Sequence, residues 1–513
     1  MSLEQAAINQ IKPSKQSLSE PQAISNPLSP NPQVDIMLSE MDKQLIAKLE
    51  SLPEDYWDFK SCDTQELTHG LHAYPAVMIY PISRKIIEIV QELTNVESLL
   101  DPFAGSGTVP VEGTISGISK VYGNDLNPLA RLLCRVKTTP IAKDILLKTT
   151  NPLISDITRD FNLMTNMLSN VDYYVSTERG FDISDKKAWA ENAPSILNEY
   201  LATYKFALTV PDFKNIGFWF KPRVILSLQI IKNHIRHCDN EDVRNFLWLT
   251  FSDVVRSVSN RRSGEFKMYR RPAEKLKDYE PDVLKTFIST LERNVDKMGA
   301  YSEKQQRLNT AINVHISADD SCVLSSVPNN SVDLLVTSPP YGDSRTTVAY
   351  GQFSRLSLQW LDLKELTNDD IIRIDKNLLG GVPYKDETQW EHIGSKTLCS
   401  ALNEIASLDK NRAYDVFSFY LGLDKCIHAA TAKMKLNTYQ FWVVGNRTVK
   451  LKRLETDRII RELAHRHGLT HIHTVNRDIQ NKVMPSLNSP TNKPGEKVGT
   501  MTNEHIVILK KIK

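Results

Sequence analysis

Apolar and polar positions along two parts of the chain follow a rhythm of short strands and longer helices. Apolar runs at residues 98–101, 121–123, 313–316, 332–336 and 439–444 are each followed by Gly, Pro, Asn or an acid, which predicts buried strands. Amphipathic spacing predicts helices at residues 84–93, 108–118, 414–433 and 457–467, and two last strands fall at 472–475 and 505–509. Strands that alternate with helices predict an α/β fold with a mostly parallel sheet.

The rhythm stops between residues 143 and 309. This segment has a largely helical pattern with its own apolar clusters at 218–220 and 246–249, and it is too long to be a loop. We therefore predict a flexible tail over residues 1–40, one catalytic fold built from 41–145 and 311–513, and an inserted helical domain over 146–310. The tail is predicted because the first residues are rich in Ser, Pro, Asn and Gln and poor in aromatics.

Composition narrows the class of protein. Of 513 residues, 41% are hydrophobic and 24% are charged, which is ordinary for a soluble globular protein. The net charge of +2 gives no global basic field, so any nucleic-acid surface must be local. The six cysteines form no Cys-x-x-Cys pair, which argues against a zinc ribbon or disulfide scaffold and fits a reducing compartment. No apolar run reaches transmembrane length, and we expect a cytoplasmic protein.

A glycine-rich loop follows the first predicted strand. The strand ends at Asp101, and Gly105 and Gly107 precede a helix, so the backbone at the helix N-terminus can approach a ligand closely. A Walker A loop is excluded because no Lys follows the glycines, and a dinucleotide fingerprint lacks its third Gly near Pro110. S-adenosylmethionine, which carries no phosphate there, remains as a ligand. Asp125, after the second strand, can hold ribose hydroxyls. The alternative is a tight strand–helix turn with a capping Asp.

The fourth predicted strand ends in a short polar and aromatic motif. Its residues are Thr337, Ser338, Pro339, Pro340, Tyr341 and Gly342. Prolines cannot donate to a sheet, so the strand stops and its carbonyl groups stay available. An exocyclic amine can donate to Ser338 Oγ and the Pro339 carbonyl while its ring stacks on Tyr341. The alternative is a proline-rich turn that only ends a core strand.

Six cations lie within sixteen residues of the helical segment, against the single acid Glu265. They are Arg256, Arg261, Arg262, Lys267, Arg270 and Arg271. Small polar residues and aromatics are interleaved with them, as phosphate and base contacts require, so we predict a DNA-binding stretch. The alternative is a solvated basic loop. Four histidines between residues 465 and 473 lack a nearby Cys or carboxylate partner set, and we expect no metal site.

The glycine loop and the proline motif together resemble those of the DNA amino-methyltransferases, which methylate exocyclic nitrogens. Residues 101–108 are similar to the cofactor loop of that family, and residues 337–341 to its catalytic motif. Residues 72–76, His-Ala-Tyr-Pro-Ala, are similar to the element that closes over the cofactor. The resemblance covers about residues 55–140 and 311–513. The long segment departs from the usual layout, because it falls between the second and third strands, so no recognition residue is transferred.

This resemblance implies a class I S-adenosylmethionine-dependent methyltransferase fold, Rossmann-like, with a helical insertion. Ser at the first motif position usually marks N4-cytosine enzymes, whereas Asp or Asn marks most N6-adenine enzymes. The implied catalytic residues are Ser338, Pro339, Pro340 and Tyr341. The implied cofactor contacts are Tyr74, Pro75, Ala76, Asp101, Phe103, Gly105, Gly107, Thr108, Asp125, Leu126 and Asp319.

The implied activity is methyl transfer to cytosine N4 in duplex DNA within a restriction–modification system, with a flipped target base. Three other readings stay open: an N6-adenine enzyme, an RNA guanine-N2 methyltransferase, and a DNA-binding module without turnover. Carbon-5 cytosine enzymes are excluded, because no cysteine follows a proline. The expected partners are double-stranded DNA and a restriction endonuclease for the same site, with no membrane, and we expect a monomer.

Overall fold

Seven strands form the central sheet of the protein, whose computed structural model describes residues 38–183, 188–204, 208–262, 267–308, 310–343, 347–363, 367–479, 487–488, 498–499 and 503–513. Two two-stranded ribbons, β6 with β7 and β9 with β10, accompany the sheet. In chain order the strands are β1 Ser98–Asp101, β2 Lys120–Asn124, β3 Asn313–Ser317, β4 Val332–Thr337, β5 Met434–Gly445, β6 Arg447–Val449, β7 Lys452–Leu454, β8 Leu469–Asp478, β9 Leu487–Asn488, β10 Val498–Gly499 and β11 Asn503–Lys511.

The order of strands across the sheet is β3-β2-β1-β4-β5-β11-β8. β11 runs antiparallel to both of its neighbours, and the other six strands of this sheet share one direction. The chain moves outward in one direction from β1 to β3 and in the other from β4 to β5. The order therefore reverses between β1 and β4, and ligands of open α/β sheets bind at the carboxyl ends of strands at such a point.

Helices cover both faces of the sheet. Leu100, Leu335 and Trp442 pack in one apolar cluster with α15, α16 and α17, while α3 and α4 lie against the other face. In chain order the helices are α1 Glu40–Glu50, α2 Tyr80–Gln91, α3 Thr108–Ile115, α4 Pro128–Thr138, α5 Lys143–Leu163, α6 Thr165–Tyr173, α7 Ala188–Tyr204, α8 Ile216–Trp219, α9 Pro222–Arg236, α10 Glu241–Val258, α11 Ala273–Lys277, α12 Val283–Gln306, α13 Tyr350–Trp360, α14 Asn368–Asn377, α15 Lys396–Leu408, α16 Lys410–Lys433 and α17 Thr456–Arg466. The mixed, mostly parallel architecture fits the Rossmann-like fold that the sequence resemblance implies.

Between β2 and β3 the chain forms α5 to α12 after the sheet helix α4, and we call this helical segment the insertion. Its core is continuous with that of the sheet layer. One apolar cluster includes Val111 of α3, Leu133 of α4, Phe251 of α10, Tyr301 of α12 and Trp360 of α13. Residues 40–513 accordingly form one compact unit, in which the insertion is packed into the catalytic fold and does not stand apart from it.

Several sequence expectations change in the structure. Residues 343–354 are polar and contain Gly351, which predicts a mobile loop over the site, but Tyr350 begins α13, so only the stretch before it lacks regular structure where it is described. Residues 485–499 are rich in Ser, Asn, Pro and Lys, which predicts a second loop. This loop and the predicted flexible tail lie outside the described residues, apart from 38–40 and the short ribbon of β9 and β10. Within the described part of the chain, no helix combines the length and apolar character that crossing a bilayer requires.

Candidate functional site

A cavity of about 460 Å³ opens at the carboxyl ends of the strands, where the strand order reverses. Most of the residues singled out in the sequence contribute to its wall. They are Tyr74, Pro75, Ala76, Asp101, Phe103, Gly105, Thr108, Asp125, Leu126, Ser338 and Pro340. Because the glycine loop and the proline motif border one cavity, a ligand bound by the first can reach a group held by the second.

The glycine loop turns sharply between β1 and α3. Gly105 and Gly107 have φ angles of +51° and +90°, which disfavour residues with a Cβ atom. The Gly105 amide donates to Asp125 Oδ2 at 3.0 Å and so ties the loop to the end of β2. A Cβ at Gly107 would lie 2.9 Å from Cys134, so Gly107 lets α3 pack against α4, and it does not border the cavity.

The turn after β2 is held by a series of polar contacts. Asp125 Oδ1 accepts from the backbone amide of Asn127 at 2.7 Å, and Asn127 Oδ1 caps α4 by accepting from the backbone amide of Leu129 at 3.1 Å. The side-chain Nδ2 of Asn127 donates to Tyr74 Oη at 3.1 Å and to Ser354 Oγ at 2.7 Å. Burial raises the pKa of Asp125 to about 6. Asn127 also borders the cavity, and the Asn-Pro pair at the helix start is the sequence signal that could have revealed it.

Tyr74 and its neighbours form the wall of the cavity opposite the sheet. The Tyr74 ring lies 6.0 Å from the Tyr350 ring and 5.6 Å from the Phe353 ring, measured between centroids. His72, just before it, is buried, with Nε2 2.9 Å from Ser252 Oγ of α10. The His-Ala-Tyr-Pro-Ala segment is thus clamped between the glycine loop and two helices, which fixes it over the cavity.

Asp101 joins the cofactor loop to the proline motif. Its Oδ1 accepts from Thr337 Oγ1 at 2.6 Å and from the Phe103 amide at 3.0 Å. The side chain is buried, and burial raises its pKa to about 7. Because Thr337 is the last residue of β4, this bond sets the position of Ser338 relative to the glycine loop.

The proline motif presents only part of itself to the cavity. Ser338 and Pro340 line the wall, whereas Pro339 is buried and Tyr341 lies behind them, half-buried. Ser338 Oγ donates to the Val443 carbonyl at 3.1 Å, and the Tyr341 hydroxyl donates to Glu504 Oε1 at 2.9 Å. Ser338 is thereby fixed at the carboxyl end of β4, where a flat ring entering the cavity can meet it.

Asp319, the acid predicted to contact the cofactor after β3, faces away from the cavity. Asp319 Oδ2 accepts from the Ser326 amide at 2.6 Å, and Asp319 does not border the cavity. The next residue, Asp320, does border it, together with Ser321 and Cys322. Two adjacent acids follow the strand, and only the direction of the turn after β3 decides which one faces the cavity.

One wall of the cavity was not predicted from the sequence. The end of α14 and the segment after it, residues 376–382, line the cavity, as do Tyr350 of α13 and Lys425 of α16. Gly380, with a φ of +68°, lies close to Asp343 and Phe419, which brings this segment against the stretch after the proline motif. The Gly-Gly pair at 380–381 predicts a turn, but nothing in the sequence says that the turn faces the site.

The basic stretch is mostly used inside the protein. Arg256 was predicted to contact DNA, and this is wrong for the folded chain, because its side chain is 3% exposed and stacks 3.4 Å above the Phe353 ring centroid. Arg261 and Arg270 pair through a backbone bridge and bond to the carbonyls of Arg256 and Phe218.

The remaining cations of the stretch differ in exposure. Arg271 stacks 3.9 Å from the Tyr279 ring centroid. Arg262 is exposed and Lys267 is partly exposed, and both are joined by backbone hydrogen bonds to Tyr269, whose side chain is exposed. Among the described residues of this stretch, Arg262 and Lys267 are therefore the cations best placed to meet an external phosphate.

The arrangement fits methyl-group chemistry on a ring amine. It has a cavity large enough for a nucleoside-sized ligand, carboxylates at one end, and a hydroxyl beside prolines at the other. No protein-family model matches the chain. The type II methyltransferase M.MvaI of Kocuria varians is 40% identical to it over 482 residues, which span 92% of this chain and 98% of that protein. The chain therefore belongs to the type II methyltransferases, a family of DNA methyltransferases.

Proposed function

We propose that the protein transfers a methyl group from S-adenosylmethionine to the exocyclic N4 of cytosine at a specific sequence in duplex DNA. The observation that carries this proposal is the single cavity bordered by the glycine loop, Asp125 and Ser338. The family supports methyl transfer to DNA, and the Ser at the first position of the proline motif supports cytosine N4 as the acceptor.

The residues present fit S-adenosylmethionine. Asp125 lies at the end of β2 beside the Gly105 amide, where a carboxylate can accept from ribose hydroxyls. We assign the contact to the adenine amino group to Asp320, in place of Asp319, because Asp320 borders the cavity. Asp101 and Tyr74 line the wall between the glycine loop and Ser338 and would flank the methionine part. When bound, the cofactor supplies an electrophilic methyl group on a sulfonium.

The protein's part in the reaction is to position the acceptor amine. That amine is a weak nucleophile, because its lone pair is delocalised into the ring. Hydrogen bonds from the amine to Ser338 Oγ and the Pro339 carbonyl would favour a pyramidal nitrogen whose lone pair points toward the cavity. Such positioning and fixed polarity supply much of the rate in reactions of this kind. The base must leave the duplex to reach this point, at a cost of about a few kcal/mol in unstacking.

The insertion is proposed to recognise DNA. Residues 146–310 lie outside the strand–helix framework that the chemistry needs. On this segment the exposed Arg262 and Tyr269 and the partly exposed Lys267 form a small basic and aromatic surface. The sequence predicted DNA contacts by six cations, and we assign the phosphate contacts to two of them, Arg262 and Lys267. A restriction endonuclease with the same recognition sequence is the proposed partner, and we propose that the enzyme acts as a monomer in the cytoplasm.

The identity of the methylated nucleoside tests which atom accepts the methyl group. Plasmid DNA from cells that express the protein is digested to nucleosides and analysed by mass spectrometry, with DNA from cells expressing Ser338→Ala as the control. We expect N4-methylcytosine in the first sample only. N6-methyladenine in its place would assign the enzyme to the adenine-specific type, and methylated guanine in RNA with unmodified DNA would reject the DNA assignment.

A further inference from the structure

A polar network behind the proline motif joins Ser338 to a neighbouring part of the sheet. Ser338 Oγ lies 3.3 Å from Tyr341 Oη, and the Tyr341 hydroxyl donates to Glu504 Oε1 at 2.9 Å. Glu504 lies at the start of β11 and forms an ion pair through Oε2 with Arg477 of β8. Arg477 Nε donates in turn to the Trp57 carbonyl at 2.8 Å. The network thus runs from the cavity wall across two strands.

The ion pair fixes the direction of the hydrogen bonds. The side chains of Arg477 and Glu504 are only 5% and 14% exposed, so water competes little with them. A carboxylate that pairs with a guanidinium is an acceptor only, and Glu504 forms such an ion pair with Arg477. The single hydroxyl proton of Tyr341 is therefore committed to Glu504, and the Tyr341 oxygen can only accept toward Ser338.

Ser338 consequently has two acceptors on its protein side. One is Tyr341 Oη, and the other is the Val443 carbonyl at 3.1 Å. The Ser338 proton points to the Val443 carbonyl, and the Tyr341 proton, held by Glu504, does not occupy the remaining lone pair of Ser338 Oγ, which is left to face the cavity. An oxygen in this state accepts from an amine and repels a carbonyl group. The amino bases are therefore favoured over the keto bases at this position.

We propose that Glu504 is a positioning residue for methyl transfer, acting through Tyr341 to keep Ser338 an acceptor for the target amine. This inference rests on the proposed function of the Ser338 site. Glu504 does not border the cavity, and its effect passes through the hydrogen bonds described above. It adds to the family motif a residue more than 160 positions away in the chain, brought close by the antiparallel pairing of β11 with β5.

The test is a double-mutant cycle between Glu504→Gln and Tyr341→Phe. In Glu504→Gln, Arg477 can only donate and therefore takes the amide oxygen, so the amide NH₂ group faces Tyr341 and turns its proton toward Ser338. The measured quantity is the single-turnover rate of transfer of labelled methyl to DNA. We expect each single variant to lose about tenfold or more. The double variant should be no slower than the slower single variant, because the phenyl ring of Tyr341→Phe carries no hydroxyl for position 504 to orient.

A matched control exists at the other end of β11. Asp42 accepts from Tyr439 Oη at 2.6 Å and from Lys510 Nζ at 2.8 Å, so it forms the same tyrosine–carboxylate–cation group away from the cavity. Asp42→Asn should lower the melting temperature without slowing methyl transfer. Glu504→Gln should bind S-adenosylmethionine with a dissociation constant within about twofold of the parent, since position 504 does not line the cavity.

Losses that multiply in the double variant would reduce Glu504 to a structural residue and overturn the proposal. So would parental transfer by Glu504→Gln. If Glu504→Gln does not fold, Tyr341→Phe decides alone, since it removes one oxygen, and a parental rate for it overturns the proposal. A parent protein that methylates no DNA would reject the proposed function, which is a different result from any of these.

Discussion

At the scale of single residues, Asp101 links the two halves of the site. It is buried at the end of β1, accepts from Thr337 of the neighbouring strand, and borders the cavity. Its pKa, raised by burial to about 7, means that the carboxyl group changes charge near neutral pH. A cation that arrives beside it favours the ionised form, because the ionised form alone attracts a positive charge.

The pH dependence of cofactor binding follows from this pKa. S-adenosylmethionine carries cationic groups, so its binding to the Asp101 side favours loss of the Asp101 proton. The affinity should therefore rise as pH increases from about 5.5 and level off above a pKa near 7. Isothermal titration calorimetry across this range measures it. Asp101→Asn should bind more weakly above pH 7 and show a flatter profile, and an unchanged profile in that variant would place the cationic groups elsewhere.

Ser338 should be needed for transfer and not for cofactor binding. Ser338→Ala removes the acceptor oxygen at the cavity wall and leaves the glycine loop intact, so we expect turnover to fall by about 100-fold or more. The cofactor dissociation constant should stay near that of the parent. Ser331→Ala, at the other end of β4, is the control, because Ser331 Oγ bonds locally, to the Pro328 carbonyl. Equal turnover by the two variants would contradict the assigned role.

Residue-level prediction from sequence placed side chains at the cavity where chemistry and backbone agree, and missed where the direction of a turn decides. Ser338, Asp125 and Gly105 border the cavity because each follows the end of a strand, and their roles in binding and catalysis stay predictions. Asp319 was chosen over Asp320 because a turn's direction does not appear in a one-dimensional pattern. The predicted DNA contact of Arg256 was wrong because a charged side chain was expected to face solvent. Its position in the last turn of α10 instead places it on the Phe353 ring.

At the scale of elements, the start of α4 organises three segments. Asn127 caps the helix, and its amide group reaches Tyr74 and Ser354, which belong to the segment before α2 and to α13. The cap therefore fixes more than its own helix. We therefore expect replacement of Asn127 to displace Tyr74, which lines the cavity on the side opposite the sheet.

Asn127→Ala tests this connection. The loss of the cap alone should cost about 1 kcal/mol of folding free energy, measured by urea denaturation. Because Tyr74 and Ser354 also lose their donor, cofactor affinity should fall as well. Asn240→Ala is the matched control, since Asn240 caps α10 through the Val243 amide at 3.1 Å away from the cavity. It should lose stability without losing affinity, and the same affinity for both variants would show that Asn127 acts only as a cap.

The elements themselves were largely predictable. The seven sheet strands, and helices α2, α3, α16 and α17, fall where periodicity placed them. Whether a segment forms a helix or a strand depends on the local spacing of its apolar residues, which can be read directly from the sequence. Tyr350 was placed in a loop because Gly351 and polar neighbours disfavour a helix, but burial of Phe353, Leu356 and Trp360 on one face stabilises α13. The wall at residues 376–382 depends on how α14 packs, and no local pattern encodes that.

At the scale of the whole molecule, we expect DNA recognition and methyl transfer to use different surfaces of the protein. The cavity lies at the carboxyl ends of the strands, while Arg262 and Lys267 lie on the insertion that joins β2 to β3. A protein with a net charge of only +2 needs such local cations to hold a polyanion. Binding should therefore depend on few phosphate contacts and show a modest dependence on salt.

Salt titration of DNA binding checks this arrangement. Arg262→Ala and Lys267→Ala should each lower the slope of log K against log salt by about 0.9 while leaving discrimination between cognate and one-base-altered duplexes intact. Lys120→Ala, at the amino end of β2 and so at the opposite end of the strands from the cavity, should leave the slope unchanged. Parental slopes for both Arg262 and Lys267 variants would make this stretch a solvated face, and relaxed discrimination would assign a residue to a base.

The shared core of the insertion and the sheet layer limits how this enzyme can acquire a new target sequence. Because one apolar cluster runs from α3 through α10 and α12 to α13, replacing residues 146–310 as a block by recombination would leave that cluster mismatched on both sides. A new specificity would then be acquired through substitutions at exposed positions of the insertion other than the phosphate-contacting Arg262, while the buried helices stay unchanged. Chimaeras that exchange only surface side chains should stay folded where block exchanges do not.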